Sequence, residues 1–332
     1  MNAVSPHNEE FPMTSEVEAP ADAAVVAATV EPSRLRLPSW FSLPSGREAW
    51  DALWPPLVGI GTFLALWAVL APLVQTSLGA LPGPGDVWTA FGGLMDEYGA
   101  ARTAAAEAVA AGSSYSGPPT FIDQIFTSLE TVALGFVLAS IVAVPLGLVA
   151  GLSKRINAAI NPLIQVMRPI SPLAWLPIVT MVVSASITSS DPLFAKSFVI
   201  SAITVMLCSL WQTLINTAVG VASIDKDLLN VGKVLRLSWF AKLTKLVLPS
   251  AMPYIFTGMR LSLGVGWMVL IAAEMLAQNP GLGKFVWDEF QNSNDRSLAR
   301  IMVAVVVIGL IGFALDRLMG IGQAMVAKRM GR

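Results

Sequence analysis

The sequence predicts an all-α polytopic membrane protein of about six transmembrane helices. Three observations predict it: an excess of apolar residues, a series of apolar windows of helix length, and a consistent sidedness in the charges between them. Of 332 residues, 55% are hydrophobic and only 13% charged, with a mean hydropathy of +0.66. That is more apolar surface than one soluble core of this size buries. The net charge is −1, and the positive residues are spread over loops. This argues against nucleic acid as a partner. The one cysteine, Cys208, lies in an apolar window and has no internal disulfide partner, and the one histidine, His7, lies in a polar segment. No metal site, histidine catalysis or bound cofactor is therefore expected.

Residues 1–50 are rich in Pro, Ala, Ser and Glu and contain no apolar run. They read as a disordered cytoplasmic tail rather than a signal peptide. A helix crosses a bilayer with about 20 apolar residues. Windows of that kind lie near 55–74, within a first helix bounded at 51–75, and near 126–152, 170–188, 193–216, 252–277 and 299–320. Pro169, Pro172 and Pro177 interrupt the start of the third window, a pattern tolerated where neighbouring helices re-satisfy freed carbonyls.

Positive residues set the direction. Arg34, Arg36 and Arg47 precede the first window, Lys154 and Arg155 follow the second, a basic segment at 217–250 follows the fourth, and Lys328, Arg329 and Arg332 end the chain. With six spans, all four clusters fall on one side, which makes that side and both termini cytoplasmic. The opposite segments are acidic: 76–121 carries Asp86, Asp96, Glu97 and Glu107 against Arg102, and 279–298 carries Asp288, Glu289 and Asp295 against Lys284 and Arg296. The first of these, a periplasmic loop with an Ala-rich run at 104–111 flanked by Gly and Pro, is expected to hold a short helix between flexible pieces. The core is bounded at 122–322, followed by a cytoplasmic tail at 323–332.

The 217–250 segment carries Lys226, Lys233, Arg236, Lys242 and Lys245 against Asp225 and Asp227. Leu228, Val231 and Leu235 recur at helical spacing, and after an N-cap at Ser238 so do Phe240, Leu243 and Val247. Two short helices with a turn at 237–239 fit this pattern. Their apolar faces need cover, from the membrane boundary, the rest of the loop or another protein.

Ionisable groups within spans cost roughly 2.5–3.5 kcal/mol on insertion scales, so each asks for a reason. Glu130 and Lys196 lie near span ends, where the interface satisfies them. Arg260 lies within snorkelling reach of the cytoplasmic side, or serves a pore or interhelical role. Glu274 lies about 21 Å further along the same helix, too far to pair with Arg260. A structural hydrogen bond or gate suits it better than contact with an anion. Trp175, like Trp211, Trp267 and Trp287, reads first as a belt or packing residue, with a place at a pore or gate as the sharper alternative. Gly147 and Gly151 permit close helix contact.

Asn230 to Pro249 resembles the coupling loop of ABC importer permeases, whose pattern is Glu-Ala-Ala, three residues, Gly, nine residues, Ile, any residue, Leu-Pro. The end matches in Leu246-Val247-Leu248-Pro249. The start departs, with Asn230 for Glu, Val231 and Gly232 for the two Ala, and Arg236 for Gly. From about residue 120 to 325 the chain resembles the nitrate, sulfonate and bicarbonate branch of these permeases. Ser128-Leu129, Gly135-Phe136, Pro145-Leu146-Gly147, Arg168-Pro169-Ile170-Ser171-Pro172-Leu173-Ala174-Trp175-Leu176-Pro177, Pro249-Ser250-Ala251-Met252-Pro253-Tyr254, Thr257-Gly258-Met259-Arg260, Ala273-Glu274-Met275-Leu276 and Gly281-Leu282-Gly283 carry it. Residues 216–221, 230–238 and 285–290 are most similar to the nitrate members, which also carry a long first periplasmic loop.

The resemblance implies a type I ABC importer permease fold in a bacterial inner membrane. It implies a translocation path between two permease copies, expected here to be identical, two ATPase subunits docked below, and a periplasmic or lipid-anchored solute-binding protein. Asp227, Leu228, Asn230, Val231, Gly232, Val234, Leu235 and Arg236, with Leu248 and Pro249, would form the ATPase-coupling loop. The implied cargo is a small oxyanion, nitrate first with nitrite and cyanate, and bicarbonate or a sulfonate such as taurine as alternatives. ATP and Mg would be used by the partner, since the chain has no Gly-x-x-x-x-Gly-Lys-Ser/Thr motif to cradle phosphate. The chain is thus expected to be no enzyme itself. An ion-driven secondary transporter is the alternative of a different class, and no inverted repeat supports it. An intramembrane enzyme would need clustered carboxylates or a nucleophile with its base, and no such arrangement is visible.

Overall fold

The computed structural model describes residues 46–76, 79–114, 117–188, 194–294 and 296–329. The expected N-terminal tail lies, up to residue 45, outside the described residues. The chain divides after Gly61 into two units. The described part of the first is the leading portion of α1 (Gly46–Leu70), which stays helical through Pro55 and Pro56. Its Leu57, Val58 and Ile60 are all more than half exposed.

In the second unit, two-residue strands Gln75–Thr76 and Gly79–Ala80 pair antiparallel ahead of α2 (Pro84–Ala110). Proline at the first helical position and the Asp86 carboxylate, which accepts from Gly83 N at 2.8 Å, start that helix. At 27 residues α2 is not the short helix expected in the 76–121 segment. The Ala-rich run continues it, and Val87 and Leu94 bury one face in the core.

The membrane core is α3 (Phe121–Leu152), α6 (Lys196–Ala222), α9 (Leu248–Ala277) and α11 (Ser297–Arg329). Thr120 and Asp123 cap α3 reciprocally: Asp123 Oδ2 accepts from Thr120 N at 2.9 Å, and Thr120 Oγ1 from Asp123 N at 3.4 Å. Half of the most apolar stretch of α6 is buried, against 11% for α11, which places α6 at the centre. Gly135, Ala139, Ala143, Gly147 and Gly151 form a stripe of small residues along α3. A Cβ on Gly147 would lie 2.6 Å from Thr217 Cβ and 2.8 Å from the Leu214 carbonyl oxygen of α6. On the other side of α6, a Cβ on Gly258 would meet Asn216 Cβ at 2.8 Å. Backbones therefore touch across both helix pairs, the packing that drives association where lipid removes the hydrophobic term.

Two expectations need correction. The window near 170–188 is not one straight span. The segment before it forms α4 (Lys154–Met167), and α5 (Pro172–Ser186), with 15 residues, is too short to cross alone. The two are bent by 100° and make at most one broken span. Among the described residues there are five helices long and apolar enough to cross, or six with this pair. The cause is local: Pro169 and Pro172 lack the N–H groups that would continue α4 and disfavour helix at the residues before them. Ser171 then caps α5, its Oγ accepting from Leu173 N at 3.3 Å.

The 217–250 segment is also shorter as a loop than expected. α6 runs on to Ala222, and α7 (Lys226–Val234) follows. The second short helix does not stand alone: α8 (Trp239–Lys242) passes through one π turn, Leu243–Val247, directly into α9. Trp239–Ala277 is thus one 39-residue element. The π turn widens the helix at Lys245, four residues before Pro249, where the proline ring needs room against the carbonyl. Past α9, the left-handed Gln278 (φ 55°) turns the chain into α10 (Leu282–Asn292).

Gly147→Val is expected to lower stability in detergent by about 1–3 kcal/mol, the usual cost of overpacking. Gly92→Ala, where nothing lies within 4 Å of the new Cβ, should cost nothing. Thermal melts followed by size-exclusion chromatography compare the two, and equal losses would contradict backbone contact between α3 and α6.

Candidate functional site

α7 is the most unusual surface element among the described residues. Its N-cap is Asp225, whose Oδ1 accepts from Asp227 N at 2.9 Å. Its end is a Schellman turn, with Leu237 N donating to Gly232 O at 3.0 Å and Arg236 N to Lys233 O at 2.9 Å. Arg236 occupies the left-handed position at φ 48°. That conformation favours glycine, which explains physically why the coupling-loop pattern has Gly where this chain has Arg236. Gly232 lies close to the π turn, where a Cβ would sit 2.7 Å from Leu246 Cδ1. Leu229 packs inward, against the cluster of Val221, Val247, Ala251 and Ile255.

The opposite side of this element is apolar and uncovered. Val234 is 81% exposed, Leu235 64% and Val231 50%, with Leu228 also exposed, and Trp239 and Phe240 extend the surface beyond the turn. Asp227, Asn230 and Arg236 are exposed around it, and Lys233 Nζ donates to Asn230 Oδ1 at 3.3 Å. Leu248 and Pro249 lie behind, in the first turn of α9. The arrangement presents a small apolar patch, ringed by polar groups, on a helix that packs through Leu229 and Gly232 against the long α8–α9 element. Contiguous apolar surface rimmed by polar groups marks a docking face.

Glu274 lies far from this patch and is fully buried. Ser128 Oγ of α3 lies 2.9 Å from both of its carboxylate oxygens, and Gly283 N donates to Oε2 at 2.9 Å. Ser128 Oγ accepts in turn from Leu282 N at 2.8 Å, and Asn279 Nδ2 donates to Thr131 Oγ1 at 3.2 Å. Glu274 thereby fastens α3, α9 and the turn into α10 together. A side chain on Gly281 would collide with the carboxylate. Within one chain Glu274 faces protein rather than open space. Trp175 sits half-buried in the first turn of α5, its indole N–H buried without a partner among the described residues.

Arg260 is exposed and paired between helices. It makes a bidentate ion pair with Asp316 of α11, Nε to Oδ1 and Nη2 to Oδ2 both at 2.6 Å, with each side chain 43% exposed. Sequence reasoning passes over Asp316, although a lone carboxylate within a long apolar window is itself a signal. Arg300, also passed over, joins three helices. It contacts Glu97 of α2 at 2.8 and 3.0 Å and Glu289 of α10 at 2.7 Å, and Ser297 Oγ donates to Glu289 at 3.0 Å.

Residues 143–332 match the family described as binding-protein-dependent transport system inner membrane component. The nitrate import permease protein NrtB of Synechococcus elongatus is 33% identical over 291 residues, covering 86% of this chain and 93% of that protein. The bicarbonate transport system permease protein CmpB of the same organism is 35% identical over 294 residues, covering 87% and 96%. A chain of the MetNI methionine ABC transporter, solved in inward-facing conformations, superposes with a TM-score of 0.52 at 11% identity, covering 62% of this chain and 95% of that one. At that identity the likeness speaks for the fold alone.

Ser128→Ala removes the hydroxyl that bridges Glu274 and Leu282, and should destabilise by about 1–3 kcal/mol, the range for stranding buried polar partners. Ser140→Ala is the control, since that buried hydroxyl has no partner. If both melt alike, the Glu274 network holds nothing together. Arg236→Gly should relieve the left-handed strain and stabilise the end of α7 by about 0.5–1 kcal/mol. Amide exchange over 226–237 would slow roughly two- to fivefold, whereas faster exchange would contradict the turn geometry.

Proposed function

Since the chain belongs to the family of binding-protein-dependent transport system inner membrane components, we propose that it forms the translocation path of an ATP-driven importer for a small oxyanion, nitrate first. The observation that carries the reading is α7: a short, capped helix with Val231, Val234 and Leu235 bare on one side and Gly232 pressed against the start of the α8–α9 element. Such a helix couples a partner's motion to a spanning helix without intervening slack. The partner is a pair of ATPase subunits, which hold the ATP and Mg. Their closure around nucleotide biases the permease between inward-facing and outward-facing states, each ATP-bound contact favouring one of two packings.

In this reading α7 and both termini are cytoplasmic, and α2 with the turn into α10 faces a periplasmic or lipid-anchored solute-binding protein. The second half of the path comes from another copy of this chain. The Arg260–Asp316 pair supports a partner or water there, because lipid is a poor neighbour for a half-exposed ion pair. Nitrate is preferred on residues 216–221, 230–238 and 285–290. Bicarbonate is the second reading, favoured by an identity to the CmpB relative of 35% that matches the 33% to NrtB.

Val231→Glu with Leu235→Glu should abolish co-purification of the ATPase encoded beside the gene while leaving the permease folded. Retention of the ATPase by the double variant would contradict docking through α7. In a deletion strain, labelled nitrate uptake should fall and return with the wild-type gene. Loss of bicarbonate uptake alone would move bicarbonate to the front.

A further inference from the structure

The break between α4 and α5 lies level with the middle of α6. Ile164 near the end of α4 is buried with Ala139 and Ala143 of α3 and Leu210 and Leu214 of α6. Val179 and Val183 of α5 are buried with Ile200 of α6. Leu207 packs against both clusters, so the bend sits at its level. Leu207 is roughly 17 Å from Lys196 and 23 Å from Ala222 along α6, at 1.5 Å per residue. A hydrocarbon core is about 30 Å thick, so the break is deep within it.

Arg168 occupies this break, and the sequence windows place it only at the foot of the third span. It is exposed and, among the described residues, makes no ion pair or side-chain hydrogen bond. With Asn161, Ile164, Gln165, Pro169 and Ile215 it lines an open groove of about 580 Å³ on the surface of the chain. Asn161, Gln165 and Arg168 follow one another at helical spacing, on one side of α4. A guanidinium at this depth with no carboxylate paired to it among the described residues needs a compensating anion or water, and secondary transporters hold their cargo at broken helices near the midplane. Arg260, another arginine within a span, differs in having its charge met by Asp316.

We propose that Arg168, with the Gln165 and Asn161 carboxamides, is a binding station for the transported oxyanion on the path through the membrane. The planar guanidinium offers two parallel N–H groups to two oxygens of a flat trigonal anion, and the carboxamides donate to the remaining one. Nitrate and bicarbonate share this shape. They differ in that bicarbonate carries an O–H, which a carboxamide oxygen accepts and which nitrate lacks. The inference rests on the transport reading above and assigns that transport a place.

The experiment uses the permease with its ATPase and binding protein reconstituted in vesicles, and measures labelled nitrate uptake, labelled bicarbonate uptake and ATP hydrolysis together. Arg168→Gln should lower uptake of the cargo at least about tenfold, the scale expected for a lost charge-assisted bidentate contact. Complex assembly and ATP hydrolysis should be retained. Arg168→Lys should keep part of the uptake with a raised half-saturating concentration, which a purely structural role would not produce. Gln165→Leu, the second variant, should weaken uptake less and raise the same half-saturating concentration. Wild-type uptake in Arg168→Gln, or equal losses of uptake, assembly and hydrolysis in all three variants, would overturn the site and leave the transport reading intact. A wild-type complex that takes up neither anion with ATP overturns both.

Discussion

The fold depends on backbone contact between α6 and its two neighbours. In lipid, no hydrophobic gain draws one apolar helix to another, so the helices hold only where they approach closely enough for dense dispersion contact. The small-residue stripe on α3 and Gly258 on α9 provide that approach. Gly220 does the same from α6, where a Cβ would lie 2.5 Å from Tyr254 Cβ. Every other feature is arranged around this three-helix core: α4 and α5 lean on α6, α11 packs on α9, and α7 hangs from the joint between α6 and α9.

Polar groups inside this core act as fasteners at defined levels. At one end, Glu274 and Ser128 join α3, α9 and the turn into α10. Further along, Arg260 and Asp316 tie α9 to α11. At the α7 end, Gly232 sits on Leu246. All three act on the one continuous Trp239–Ala277 element. In the importer reading proposed above, a displacement of α7 would reach the Glu274 turn through this one element. The α4–α5 break sits beside α6.

Much of this was legible in the chain because lipid makes it so. Long apolar windows, the Ser238 cap and the helical spacing of Leu228, Val231 and Leu235 are local signals that tertiary packing does not override. The broken span was not legible in the same way. Pro169 and Pro172 announce a stop, but whether a stop ends a loop or bends a helix inside the membrane depends on Ile164 finding Ala139 and Leu210, a contact between distant parts of the sequence. The second loop helix merged with α9 because a π turn absorbs Pro249, and apolar periodicity does not distinguish a π turn from a break. Asp316 stayed hidden because its meaning comes from Arg260, 56 residues away. The left-handed Arg236 is the reverse case: the departure from Gly was visible in the sequence, and its cost appears only with φ at 48°.

The central claim is that the bare face of α7 belongs to a protein partner rather than to lipid. The chain has one native cysteine, Cys208, so a single thiol placed at Val234 in a Cys208→Ser background reports on that face alone. Its rate of maleimide labelling would be measured in detergent, in vesicles without the ATPase, and in vesicles with the ATPase bound. Rapid labelling in the first two and protection only with the ATPase is the predicted result. Equal protection in empty vesicles would place α7 against the bilayer and contradict the account.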